Sequence, residues 1–155
     1  MRRSGTILLV EDNQDEVRLA MRAFAINNIS NQIVTVHDGQ EALDYLFGEG
    51  AYSGRTLFTM PDLVLLDLKL PKLSGHEVLR QVRSDERTSR IPVVVLTSSG
   101  EEEDIACSYD LGANSFVRKP LDMKQFVEAV RQLGTYWLQI NEPPWSWGGG
   151  HKKAG

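Results

Sequence analysis

Short apolar runs alternate with segments of helical period along most of the chain, and this alternation narrows the possible folds more than any other feature. Thr6–Val10, Ile33–Val36, Leu63–Leu66, Ile91–Leu96 and Ser115–Val117 read as strands. Pro92 fits only at the beginning of its strand, where a missing ladder donor is tolerated. Between the strands, Val17, Ala20, Met21 and Phe24 form one apolar stripe within Asp15–Asn28, and Ala42, Leu43 and Leu46 form another within Gln40–Phe47. Val78, Leu79 and Val82 mark a third helix. Ser99 and Glu102 have the spacing of a capping box for a fourth, which runs through Ile105, Ala106 and Tyr109 and is ended by Gly112. Asp122 and Gln125 form a similar pair before Phe126, Val127, Val130 and Leu133. Gly48–Pro61 is expected to be a long loop.

Strict alternation implies an α/β fold: a parallel sheet with right-handed crossovers and helices on both faces. Central strands buried on both sides must be apolar throughout, as Thr6–Val10 and Leu63–Leu66 are. Ligands in such sheets bind beyond the strand C-termini, where the strand order reverses.

With 155 residues the chain can bury one core, so one domain is expected. A net charge of −4 with scattered basic residues gives no footprint for nucleic acid. Cys107 is the only cysteine, which rules out an intrachain disulfide and leaves it as a packing residue. No signal-peptide core and no apolar run of membrane-crossing length is present, so a cytoplasmic protein is expected, with neither membrane nor nucleic acid as partner. His37, His76 and His151 share no metal-ligand spacing.

The polar residues at the strand ends carry the chemistry. Glu11 and Asp12 follow the first strand and Asp67 the third, so three carboxylates converge and need a cation; an all-oxygen set suits Mg²⁺ or Mn²⁺. Thr97 and Ser98 can donate to an anionic oxygen, and Lys119 adds a positive charge. Together these groups would stabilise a phosphoryl group in transfer, with Asp67 as a nucleophile able to form an acyl phosphate. Each residue taken singly has a plainer reading: the acid pair as the start of a helix, Asp67 as a cap, Thr97 as a strand-end hydroxyl, Lys119 as a surface lysine.

The segments Ile7–Asn13, Asp67–Pro71 through Gly75, Val95–Ser98 and Phe116–Pro120 resemble the four signatures of response-regulator receiver domains, over about Thr6 to Leu138. The resemblance implies a flavodoxin-like (βα)5 three-layer sandwich with a five-stranded parallel sheet in the order 2-1-3-4-5. It implies Asp67 as phosphoacceptor, Mg²⁺ held by Asp12, Asp67, the Lys69 backbone carbonyl and, through water, Glu11, and Lys119 paired with the acceptor and then with the phosphate. A cis peptide between Lys119 and Pro120 is expected to aim the lysine. Thr97 and Phe116 occupy the positions of the family's hydroxyl-and-aromatic switch; phenylalanine carries no ring hydroxyl, so switching must work by packing. A receiver signals rather than acting on a separate substrate, although it catalyses its own phosphorylation and slow dephosphorylation.

The donor expected is the phosphohistidine of a sensor histidine kinase. The long loop, the apolar last helix and the extended C-terminus resemble the phytochrome-associated response regulators, which makes a phytochrome-type kinase the expected partner. A receiver over residues 1–140 leaves only a flexible tail, 141–155, so a stand-alone regulator is expected. Tyr136, Trp137, Trp145 and Trp147 suggest a homodimer through the face of the fourth helix, fifth strand and fifth helix. A chemotaxis-type regulator or a phosphorelay intermediate would share the same catalytic residues, and a phosphorylation-independent binding module would not need them. A dehalogenase-type phosphatase would require an acid where Lys69 stands, and a flavodoxin-type flavin site would not tolerate Glu11-Asp12.

Overall fold

In the computed structural model, which describes residues 5–54, 60–119 and 122–144, five parallel strands form one sheet. They are β1 (Thr6–Val10), β2 (Gln32–Val36), β3 (Leu63–Leu66), β4 (Val93–Thr97) and β5 (Ser115–Arg118), in the order β2-β1-β3-β4-β5. Helices α1 (Gln14–Ile26), α2 (Gly39–Phe47), α3 (Gly75–Ser84), α4 (Glu102–Asp110) and α5 (Met123–Thr135) connect or follow them, and a π-helical turn, Tyr136–Ile140, continues α5. The expected flavodoxin-like sandwich is therefore present. Ile91 and Pro92 precede β4 rather than opening it.

Strand composition follows position in the sheet. β3 and β4 are buried at every residue and β1 at all but Thr6, whereas the edge strands β2 and β5 are largely half-buried. Leu8, Val10, Val64, Leu66, Val93 and Val95 face α2 and α3; Ile7, Leu9, Leu63, Leu65, Val94 and Leu96 face α1 and α5. This is the period-two division of a sheet covered on both sides.

Side-chain oxygens cap four helices: Asn13, Asp38, Ser74 and Asp122 accept from the backbone N–H groups of Glu16, Glu41, Glu77 and Gln125. α4 departs from expectation. Its N-cap is Glu101, without a side-chain hydrogen bond, and Ser99 instead donates its hydroxyl proton to Asp104. Ile105 is half-buried, while Ala106 and Tyr109 are exposed. The one fully enclosed side chain of α4 is Ser108, which donates to the Asp104 carbonyl at 2.7 Å and lies 3.0 Å from His76 Nε2 on α3. Met21 also departs: it is 39% exposed, and Ala23 takes its place in the buried stripe of α1. Gly112 follows α4 at φ +100°, a conformation that favours glycine.

The long connection contains a short 3-10 turn, Gly50–Tyr52. The expectations for the Lys119–Pro120 peptide, for Trp145 and Trp147, and for the 141–155 tail beyond residue 144 lie outside the described residues. No helix among the described residues is long and apolar enough to cross a membrane.

Candidate functional site

Register aligns the strand ends. Val10 pairs with Val36 and Leu66, Leu66 with Val95, and Thr97 with Arg118. The next residues extend the ladder: Glu11 N donates to Val36 O at 3.0 Å, Asp67 N to Val10 O at 3.1 Å and Lys119 N to Thr97 O at 2.8 Å. Glu11, Asp67, Thr97 and Lys119 thus share one sheet edge, and the β1/β3 boundary where strand order reverses lies between the first two.

Asp67 is 9% exposed. Its Oδ1 accepts from the Leu68 backbone at 2.8 Å, and its Oδ2 faces Lys119 Nζ at 3.8 Å. Glu11, buried, accepts from Lys119 at 2.5 Å and from the Asn13 backbone at 3.1 Å. Asp12 is exposed, yet carboxylate oxygens of Glu11, Asp12 and Asp67 lie within 4.8 Å of one another. Thr97 is fully enclosed at the end of β4, and its Oγ1 accepts from Ser99 N at 3.4 Å. Ser98, the other hydroxyl named above, is exposed, as is the side chain of Lys69 two residues past Asp67. Phe116 is half-buried against the α2/α3 side of the core.

The electrostatics show an excess of negative charge. Burial pushes the Glu11 carboxyl up; the Lys119 hydrogen bond and charge pull it back, Asp67 pushes it up again, and it remains above its usual range. Burial works to lower Lys119, but the hydrogen bond to Glu11 and the charges of Asp67, Glu11 and Glu16 outweigh it and hold the ammonium above the usual lysine range. Among the described residues, one cation, Lys119, is paired with the buried members of the carboxylate cluster. A divalent cation would offset the remainder, and an all-oxygen donor set is what a hard ion takes. The residues present fit that group.

Two contributors escape a reading of the sequence. Glu16 Oε1 lies 3.2 Å from Lys119 Nζ. The only sequence signal for it was its place in the first turn of α1, just after the Asn13 cap. Asn13, which carried no assigned role, both caps α1 and holds Glu11.

Comparison with known proteins adds a consistent result. The response regulator receiver domain family matches residues 7–131. The probable methanogenesis regulatory protein FilR2 of Methanothrix harundinacea is 45% identical over 139 residues, covering 89% of this chain and 86% of that protein. Response regulator Rcp1 of Synechocystis is 36% identical over 133 residues, covering 86% and 88%; its Mn²⁺-bound structure superposes with a TM-score of 0.82, covering 90% of this chain and 99% of that one. The phosphorylated cyanobacterial phytochrome response regulator RcpA is 43% identical, with a TM-score of 0.83 over 90% of this chain and 98% of that one.

Proposed function

The chain belongs to the response regulator receiver domain family, and from that premise we propose that Asp67 accepts a phosphoryl group from the phosphohistidine of a sensor histidine kinase in a reaction that needs Mg²⁺ or Mn²⁺. One observation carries this reading: Asp67 Oδ2 sits 3.8 Å from a buried lysine, inside a cluster of carboxylates that one ammonium does not neutralise.

An Asp67 carboxylate oxygen forms the new O–P bond while the donor's P–N bond breaks. The electron pair of that bond stays on the histidine nitrogen, which takes up a proton. Asp12, Asp67, the Lys69 carbonyl and, through water, Glu11 would hold the metal ion, which supplies charge neutralisation for the phosphoryl oxygens. Lys119 is positioned to follow the charge from carboxylate to phosphoryl group. The Thr97 oxygen accepts from a backbone N–H, so its own proton is free to be donated to a phosphoryl oxygen, and drawing Thr97 toward the phosphate opens space for Phe116. The backbone N–H groups of Asn13 and Leu68 donate to Glu11 and Asp67 and hold both carboxylates in place before the donor arrives.

The likeness to the phytochrome response regulator RcpA supports a phytochrome-type kinase as the donor, although FilR2, similar at higher identity, belongs to a different regulatory setting. Incubation with acetyl phosphate and Mg²⁺ should add one phosphoryl group to the intact protein, and chelation should abolish the addition; labelling indifferent to chelator contradicts the reading. Transfer from a purified phytochrome-type kinase, compared with kinases of other sensor classes, tests the partner. Faster transfer from an unrelated kinase would overturn that assignment.

A further inference from the structure

Lys119 has three ammonium protons and three carboxylate neighbours, and their distances are unequal. Glu11 lies at 2.5 Å, Glu16 at 3.2 Å and the acceptor Asp67 at 3.8 Å. Two carboxylates outside the acceptor therefore hold the lysine more closely than the acceptor does. Glu11 follows a strand end and is buried. Glu16 has a different origin: it comes from the first turn of α1, its backbone N–H is fixed by Asn13 Oδ1 at 3.0 Å, and its side chain is 37% exposed. It reaches the lysine from the face of α1 that also carries buried Ala20 one turn further on.

We infer that Glu16 is a positioning residue that retains Lys119 on the α1 side of the site and so competes with the phosphoryl group for the lysine. This rests on the reading of Asp67 as the acceptor. When the O–P bond forms, the phosphoryl oxygens lie beyond Asp67 Oδ2, and Lys119 must redirect one N–H toward them. The proton shared with Glu16 is the one most easily given up, because that partner is farther than Glu11 and partly hydrated. Its attraction nevertheless has to be overcome in every transfer. An interaction present before the reaction and weakened in the transition state raises the barrier.

Contact and charge are separable. Glu16→Gln keeps the length of the side chain and removes the charge. Glu16→Asp keeps the charge but is one methylene too short to hold the lysine at the same distance. Asp15→Asn removes the same charge from the neighbouring position, where the side chain is paired with Arg18 and does not reach Lys119. The experiment is the second-order rate of labelling by acetyl phosphate at fixed Mg²⁺ in the full chain, followed by intact mass. Wild type and Asp67→Asn are run alongside; if Asp67→Asn labels like wild type, it is the acceptor assignment that fails.

With that control satisfied, Glu16→Gln and Glu16→Asp should both label faster than wild type, by about three- to tenfold, the scale of one charge-assisted hydrogen bond, while Asp15→Asn changes the rate by less than twofold. Three results overturn the inference. The first is Glu16→Asp matching wild type while Glu16→Gln matches Asp15→Asn, which is a field effect without positioning. The second is both Glu16 variants labelling at the wild-type rate. The third is both labelling more slowly, in which case Glu16 assists the lysine instead of holding it back.

Discussion

Gly75 lies against the backbone of Asp67: a Cβ built on Gly75 would sit 2.3 Å from the Asp67 carbonyl oxygen and 2.7 Å from the Leu68 Cα, and Gly75 N donates to Leu68 O at 2.8 Å. The first residue of α3 thus closes the loop that carries the acceptor. At an unobstructed helical position alanine is more favourable than glycine by about 1 kcal/mol. Here the sign should reverse. Gly75→Ala is expected to destabilise the protein by about 1–3 kcal/mol, the usual range for forced overpacking, and to slow labelling. Urea unfolding together with the acetyl phosphate rate checks both, and a stabilised, fully active variant would show that the loop yields freely.

Lys69 is exposed two residues beyond Asp67, at the mouth of the site. A long cation there can contact the phosphoryl oxygens or shield them from water, so Lys69→Ala and Lys69→Glu should lose phosphate faster once donor is removed, by roughly two- to tenfold. Unchanged or slower loss in both variants ends this idea.

Most of this was legible in the sequence because the buried strands leave little latitude. A strand enclosed on both faces must be apolar to its end, so the first charged residue after it marks the sheet edge, as Glu11 and Asp67 do; Lys119 follows the half-buried edge strand β5, one residue after Arg118. What escaped depends on tertiary geometry. Glu16 reads as an ordinary first-turn acid until α1 is set beside β5, and Met21 and Ala23 are both apolar, so periodicity could not decide which one turns inward. The helix α4 and its end at Gly112 were legible, but its cap was not. Ser99 donates to Asp104 instead of capping, and the buried Ser108 meets His76 on α3, contacts that no hydrophobic pattern reveals.

Alkaline pH should weaken the fold through Lys119. Burial alone would lower its pKa, but the Glu11 hydrogen bond and the surrounding carboxylates leave it raised above the ordinary lysine value of 10.5. A group whose pKa is higher in the folded state contributes stability that is complete below the unfolded value and lost as pH rises through the folded one. Metal-free wild type should therefore lose stability above pH 10.5 more steeply than Lys119→Met. Parallel pH profiles for the two proteins would contradict this.

The proposed homodimer has specific anchors. Gly134 meets Ile29 on the α1 side of α5, and Tyr136, about 200° further round a helix, is 46% exposed; Ile140 is 60% exposed and Tyr109 on α4 is 50% exposed. Trp137 packs partly on the protein's own core, so Tyr136→Ser with Ile140→Ser is the cleaner disruption. Sedimentation should show wild type associating with concentration and the double variant remaining monomeric. A concentration-independent wild-type monomer, with and without phosphorylation, would remove the proposal.

The central claim is that Asp67 receives the phosphoryl group, and the most direct measurement is intact-mass analysis of wild type and Asp67→Asn after incubation with acetyl phosphate and Mg²⁺. The account predicts one added phosphoryl group on wild type, lost on chelation, and none on Asp67→Asn with its fold intact. Equal labelling of the two proteins would contradict it.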